Sequence, residues 1–189
     1  MKNRFTNKLV ALVILAFLLI AGWVVVAQKT EPPPKKKLAI SIKPQDVADN
    51  LHAVLASDRE VFAKVGARHF QENDFTSPCE LFRLSSEATA SKGVEFSYVL
   101  RSLRPMRQRN APETEVEKKG LEFVSSRPSE AFYAEELLGG RWYFTAVYPD
   151  AAVNQSCVNC HNQDKAGPKK DFKLGDIMGG VVVRVALEL

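Results

Sequence analysis

The sequence predicts an α+β domain, an antiparallel sheet with helices packed on one side. Three observations carry the prediction. Apolar residues recur at helical spacing in the first half of the soluble part. Runs rich in β-branched and aromatic residues dominate the second half. A Gly-Gly pair joins two of those runs as a hairpin turn would.

The elements follow in order. Leu38 to Lys43, LAISIK, alternates apolar and polar residues and reads as a short strand. A long helix is expected from about Asp46 to Phe70, with Val47, Leu51, Val54, Leu55, Phe62 and Val65 as its stripe, His69 continuing it and His52 on its flank. Ser77-Pro78-Cys79-Glu80 sets a serine at the N-cap, a proline at N1 and a glutamate at N3, so a second helix starts there. Leu81, Leu84 and Ala88 mark its expected buried face, and Gly93 its end. Val94 to Leu103 alternates as a half-buried strand stopped by Pro105. Asn110 to Val124 reads as a third helix, with Pro112 near its start and Glu113 and Glu115 in its first turn. Phe132–Leu138 and Arg141–Tyr148 flank Gly139-Gly140 as a hairpin, and Met178–Leu187 forms the last strand. Between hairpin and last strand lies a polar loop, and in it stands Cys157-Val158-Asn159-Cys160-His161.

Positions 9 to 27 are apolar throughout apart from Gly22, a length that suits a membrane span, for which about 20 residues are needed. Lys2, Arg4 and Lys8 precede it, and Val25-x-Ala27 offers a cleavage site, so an anchor and a cleaved signal segment are both compatible. Residues 28–37, QKTEPPPKKK, hold three prolines and four lysines and read as a stiff spacer. The expected organisation is a cytoplasmic tail over 1–8, an anchor or signal segment over 9–27, a linker over 28–44 and one domain over 45–189. The net charge of +4 is a modest surplus, and without aromatic residues interleaved among the lysines it does not point to nucleic acid.

The chain has three cysteines and three histidines, and CVNCH gathers three of these six within five residues. Zinc would need four converging ligands, usually from two knuckles, and there is one knuckle. A thioredoxin-like dithiol expects its C-x-x-C just after a strand and opening a helix, whereas Asn162–Pro168 shows no amphipathic pattern. Covalent haem c uses the same residues differently: Cys157 and Cys160 bond the porphyrin rim, and His161 is the proximal ligand of the iron. Bacterial haem is attached to this motif outside the cytoplasm. That places the domain in the periplasm or extracytoplasmic space, on an inner-membrane protein with a single N-terminal span. The second axial ligand sets whether such iron binds gases or passes electrons. Candidates are Cys79, at a helix start whose dipole favours thiolate, then His69, His52, Met106 and Met178, or an open site. Arg104, Arg107 and Arg109 with Lys169 and Lys170 are cations for the propionates.

The blocks SPCELFRLSSE, FSYVLRSLRPMRQRNAPETEVEKKGLE, YFTAVYPDAAVNQSCVNCHN and PKKDFKLGDIMGGVVVRV resemble a bacterial family of c-type haem-binding PAS-like domains over about residues 45–187. Its members are often fused to histidine-kinase or cyclase modules. The resemblance implies a PAS-like antiparallel sheet, one covalent haem on Cys157 and Cys160 with His161 as proximal ligand, and a sensory role. Cys79-Glu80 and Arg104 depart from the family's pattern, and no output module is expected after the domain. The expected function is a membrane-anchored haem-based redox or diatomic-ligand sensor, not an enzyme, working through a redox or signalling partner protein. The alternatives are a single-haem electron-transfer cytochrome and, requiring His52 or His69 as a proton-handling group, a peroxidase.

Overall fold

A computed structural model describes residues 43–69 and 78–187, with the side chains of 65–69 and of Pro78 excepted. The apolar segment 9–27, the linker up to residue 42 and the N-cap Ser77 lie outside the described residues. Among the described residues no helix is long and apolar enough to cross a membrane.

The order is α1 (Pro44–His69), α2 (Pro78–Ala90), β1 (Phe96–Arg101), a short 3₁₀ turn (Gln108–Asn110), α3 (Glu115–Ser126), β2 (Phe132–Leu138), β3 (Arg141–Ala151), α4 (Gln155–Gln163) and β4 (Ile177–Ala186). The four strands form one antiparallel sheet in the order β1-β4-β3-β2. The architecture is α+β, as expected. The hairpin closes where Gly139-Gly140 predicted it: Leu138 pairs with Arg141, and both glycines take the positive φ, 57° and 82°, that a type I′ turn needs.

Helices cover both faces of the sheet, which corrects the one-sided expectation. On one face Ala48 and Leu55 of α1 and Phe82 of α2 pack on Tyr98, Ala146, Tyr148, Val181 and Val183. On the other, Leu121 and Val124 of α3 pack on Val147 and Val182. The cause is legible in β4, whose Val181-Val182-Val183 run is apolar on both sides; a strand with two apolar faces needs cover on each.

The buried stripes are also rotated from those expected. On α1 the inward positions are Ala48, His52, Leu55, Arg59 and Ala63, while Val54 and Phe62 are exposed. On α2 Phe82 turns inward and Leu84 and Ala88 outward. There the sheet offers a polar anchor: Tyr98 bonds Ser85 through its hydroxyl at 2.8 Å, and its carbonyl accepts from Ser86 at 2.5 Å. Hydroxyls on one helix face, satisfied by one tyrosine, set the orientation that apolar spacing alone misplaced.

α3 starts five residues later than expected. Thr114 is its N-cap, accepting from the Glu117 amide at 3.1 Å, and the T-x-x-E spacing was the overlooked signal. Glu117 is fully buried. It is bound by Arg184 at 2.7 Å and Arg101 at 3.2 Å, and it accepts the Glu113 amide at 2.5 Å. Arg184 continues to Glu136 at 2.8 Å, which also accepts from Thr145 at 2.7 Å. This network rivets α3 to β1, β2, β3 and β4.

Candidate functional site

The motif stands on a helix, not in a loop. α4 begins three residues after β3 ends, and Asn154 caps it by accepting the amides of Ser156 at 2.9 Å and Cys157 at 3.2 Å. The capping asparagine was the signal available in the sequence; nine mostly polar residues gave no amphipathic pattern to find. On a helix, positions i, i+3 and i+4 share one face. Cys157, Cys160 and His161 therefore point the same way, and all three line one open cavity. Arg59 and Ala63 of α1, Cys79 of α2, Met106 and Met178 complete its wall.

Several wall residues have an identifiable anchor. Val158 and Cys157 pack α4 onto Ala152, Phe172 and Met178. Asn162, directly after the motif, clamps Phe172 at both ends: its amide donates to the Phe172 carbonyl, and its oxygen accepts the Phe172 N–H, each at 3.0 Å. Phe172 so held meets the His161 ring edge-on, with centroids 5.5 Å apart. The segment carrying Met106 is tied by Ser102 to the Met178 carbonyl at 2.7 Å and by Arg101 to the Arg109 carbonyl at 2.6 Å. Two further clefts open off the same walls. One shares Cys79, Met106 and Cys160, and another shares Cys79, Met106, His161 and Met178.

Of the expected axial ligands, the structure brings Cys79, Met106 and Met178 to the motif's cavity. His52 lies elsewhere: its ring stacks on Tyr148 at 3.9 Å, beside a separate cavity. Tyr148 in turn donates to Asp49 at 2.7 Å. The His69 side chain lies outside the described residues. Of the expected cations, Arg107 is engaged by Asp164 at 3.1 Å, Arg109 by Glu80 at 3.1 Å and Lys169 by Asp171 at 3.1 Å. Lys170 reaches the Asp164 carbonyl. Arg104 lines the cleft beside His161.

The electrostatics favour neutral groups. Burial, then the neighbouring Arg59 charge, holds His161 below the usual histidine range, and Asp164 opposes this. Burial pushes the Cys160 thiol up, with Cys79, Asp164 and Cys157 adding to it. The C-x-x-C does open a helix just after a strand, contrary to the expectation. That helix, however, connects antiparallel neighbours and not the parallel strands of a βαβ unit. Among the described residues no three His, Cys, Asp or Glu side chains are grouped so as to hold a single metal ion. Two thiols and an imidazole on one face, lining one cavity without converging, suit three separate points of one large flat ligand.

This is an α+β domain with a thiol–imidazole cavity between helices and sheet edge. The chain belongs to the Tll0287-like family, whose description matches residues 27–186. A solved structure, described as the crystal structure of the cyanobacterial heme-protein Tll0287, is similar at 15% sequence identity. It covers 77% of this chain and 97% of its own, with a TM-score of 0.49. No curated protein matches this chain.

Proposed function

We propose that the chain is a membrane-anchored, extracytoplasmic haem c protein with a PAS-like domain that senses redox state or a diatomic ligand. The observation that carries this is the placement of Cys157, Cys160 and His161 on one face of α4, lining one cavity. Membership of a family named after a heme-protein supports it. Each thiol adds across a vinyl group, sulfur to one carbon and hydrogen to the other, so attachment needs no oxidant. The held group supplies one-electron and ligand-binding chemistry at its iron. His161, kept neutral by burial, offers a nitrogen lone pair to that iron. Cys79, facing the motif across the cavity, is the proposed second ligand. Arg104, beside His161, is the proposed propionate partner.

The test is expression in a host with working cytochrome maturation. Pigment that resists acid acetone, is lost in a Cys157→Ala/Cys160→Ala double variant, and loses its axial signature in His161→Ala supports the reading. A colourless wild-type protein overturns it. An electron-transfer cytochrome is the second reading, favoured by the crowding of Cys79, Met106 and Met178 around the motif, because a filled sixth position suits electron transfer. Carbon monoxide decides between them. A shifted spectrum in the reduced protein supports the ligand sensor, and an unchanged one leaves the redox readings. A change in the Cys79→Ala spectrum identifies Cys79 as ligand.

A further inference from the structure

The cofactor cavity has a charged group in its wall that no ligand role uses. Arg59 sits on the inward stripe of α1, and its side chain is 15% exposed. It forms an ion pair with Asp150, 9% exposed, at the end of β3. The strand register shifts between Asp150 and Ala151, and such an irregularity re-aims a side chain. Arg59 lines the cavity that holds both motif cysteines and His161. Asp150 lines the neighbouring cleft, which also reaches His161. Both line the third cavity, beside His52. The pair therefore forms the partition between the motif's cavity and the His52 cavity.

Buried ion pairs contribute little net stability, because desolvation offsets their attraction, yet breaking one leaves an uncompensated charge in a medium of low dielectric constant. Such a charge acts strongly on any nearby group that changes charge. The outer ion pairs near the motif, Arg107 with Asp164 and Arg109 with Glu80, involve arginines more than half exposed, where solvent screens them. Arg59 and Asp150 form a shielded pair, and its arginine lines the cavity that holds both cysteines.

We propose that the Arg59–Asp150 pair sets the reduction potential of the group held by Cys157, Cys160 and His161. This rests on the haem reading above. Of the two opposed charges only Arg59 lines the cavity that holds both cysteines, so the pair leaves a residual field there, and each charge can be removed separately. Taking away the cation favours the oxidised, more positive centre and lowers the potential. Taking away the anion leaves Arg59 uncompensated and raises it.

The experiment is spectroelectrochemical titration of the full haem-loaded chain and four variants. Arg59→Gln is expected to shift the oxidation equilibrium about tenfold toward the oxidised form, or about 59 mV downward for a one-electron couple. Asp150→Asn is expected to shift it by a similar factor the other way. Arg59→Lys stays within about twofold of wild type, and the Arg59→Gln/Asp150→Asn double variant returns toward it, because neither leaves an unpaired charge. A merely structural pair would lower the melting temperature of both single variants while leaving their potentials together. Shifts of the same sign, or both under twofold, overturn the inference. Haem attachment is read separately from the pyridine adduct. Its absence in wild type overturns the functional reading, whereas attached haem with unmoved potentials overturns this one alone.

Discussion

The clamp made by Asn162 is the sharpest link between local chemistry and the shape of the site. Asn162→Ala removes both bonds to Phe172 at once, a donor to its carbonyl and an acceptor for its N–H. Phe172 is buried, so water replaces those partners poorly. A hydrogen bond contributes about 1 kcal/mol net, and an orphaned buried amide group costs about 1–3 kcal/mol, so a loss of about 3 kcal/mol is expected. For a chain of this size that corresponds to roughly 6–12 °C in melting temperature. Denaturant unfolding measures the free energy. Limited trypsin digestion measures the local consequence, since release of Phe172 frees the segment bearing Lys165, Lys169, Lys170 and Lys173. Gln155→Ala is the control: it removes an exposed bond to Asn159 on the same helix and is expected to cost below about 0.5 kcal/mol. If Asn162→Ala loses no more than that control, or if trypsin cleaves both variants alike, the clamp does not position the segment.

Other outcomes follow from the same geometry. Gly120→Ala places a Cβ 2.5 Å from a methyl of the fully buried Val147 and 3.0 Å from Phe132. The gain of about 1 kcal/mol in helix propensity is thus expected to be outweighed, giving net destabilisation by chemical denaturation. Glu117→Gln leaves Arg101 and Arg184 without their shared carboxylate but with Glu113 and Glu136 as partners, and a loss of about 1–3 kcal/mol is expected in the same assay. Thr114→Ala, at the α3 cap, is expected to cost about 1 kcal/mol. His52 is held below the usual histidine range by burial, with Asp49 opposing and Arg59 reinforcing. The unfolded chain then binds a proton first as the pH falls, so stability is full above about pH 6.5 and declines below it. His52→Gln should flatten that part of the stability–pH curve, measured by urea midpoints; an unchanged slope refutes the assignment.

Local chemistry made part of this molecule legible. The Gly-Gly hairpin, the apolar strands and the helix start at Pro78 each depend on residues close in sequence, and each stands where expected or within a few residues of it. The misses have a common form. The stripe on α1 and the face of α2 were read from hydrophobicity alone, whereas His52 stacking on Tyr148 and the α2 hydroxyls meeting Tyr98 decided the rotation. α4 escaped because its stability comes from the Asn154 cap and from Val158 packing on Phe172, and its nine residues carry no stripe.

By itself, then, the sequence determined which groups are offered for chemistry: two thiols and an imidazole at i, i+3 and i+4, with a third thiol two helices earlier. Only the tertiary structure decided what surrounds them. Cys79, Met106, Met178 and the Arg59–Asp150 pair come from segments far apart in the chain, and no spacing rule relates them. They meet because two-sided packing on the β4 valines fixes α1 and α2 against the end of the sheet where α4 joins β3 to β4, and burial then gives charge there the strength it lacks in water.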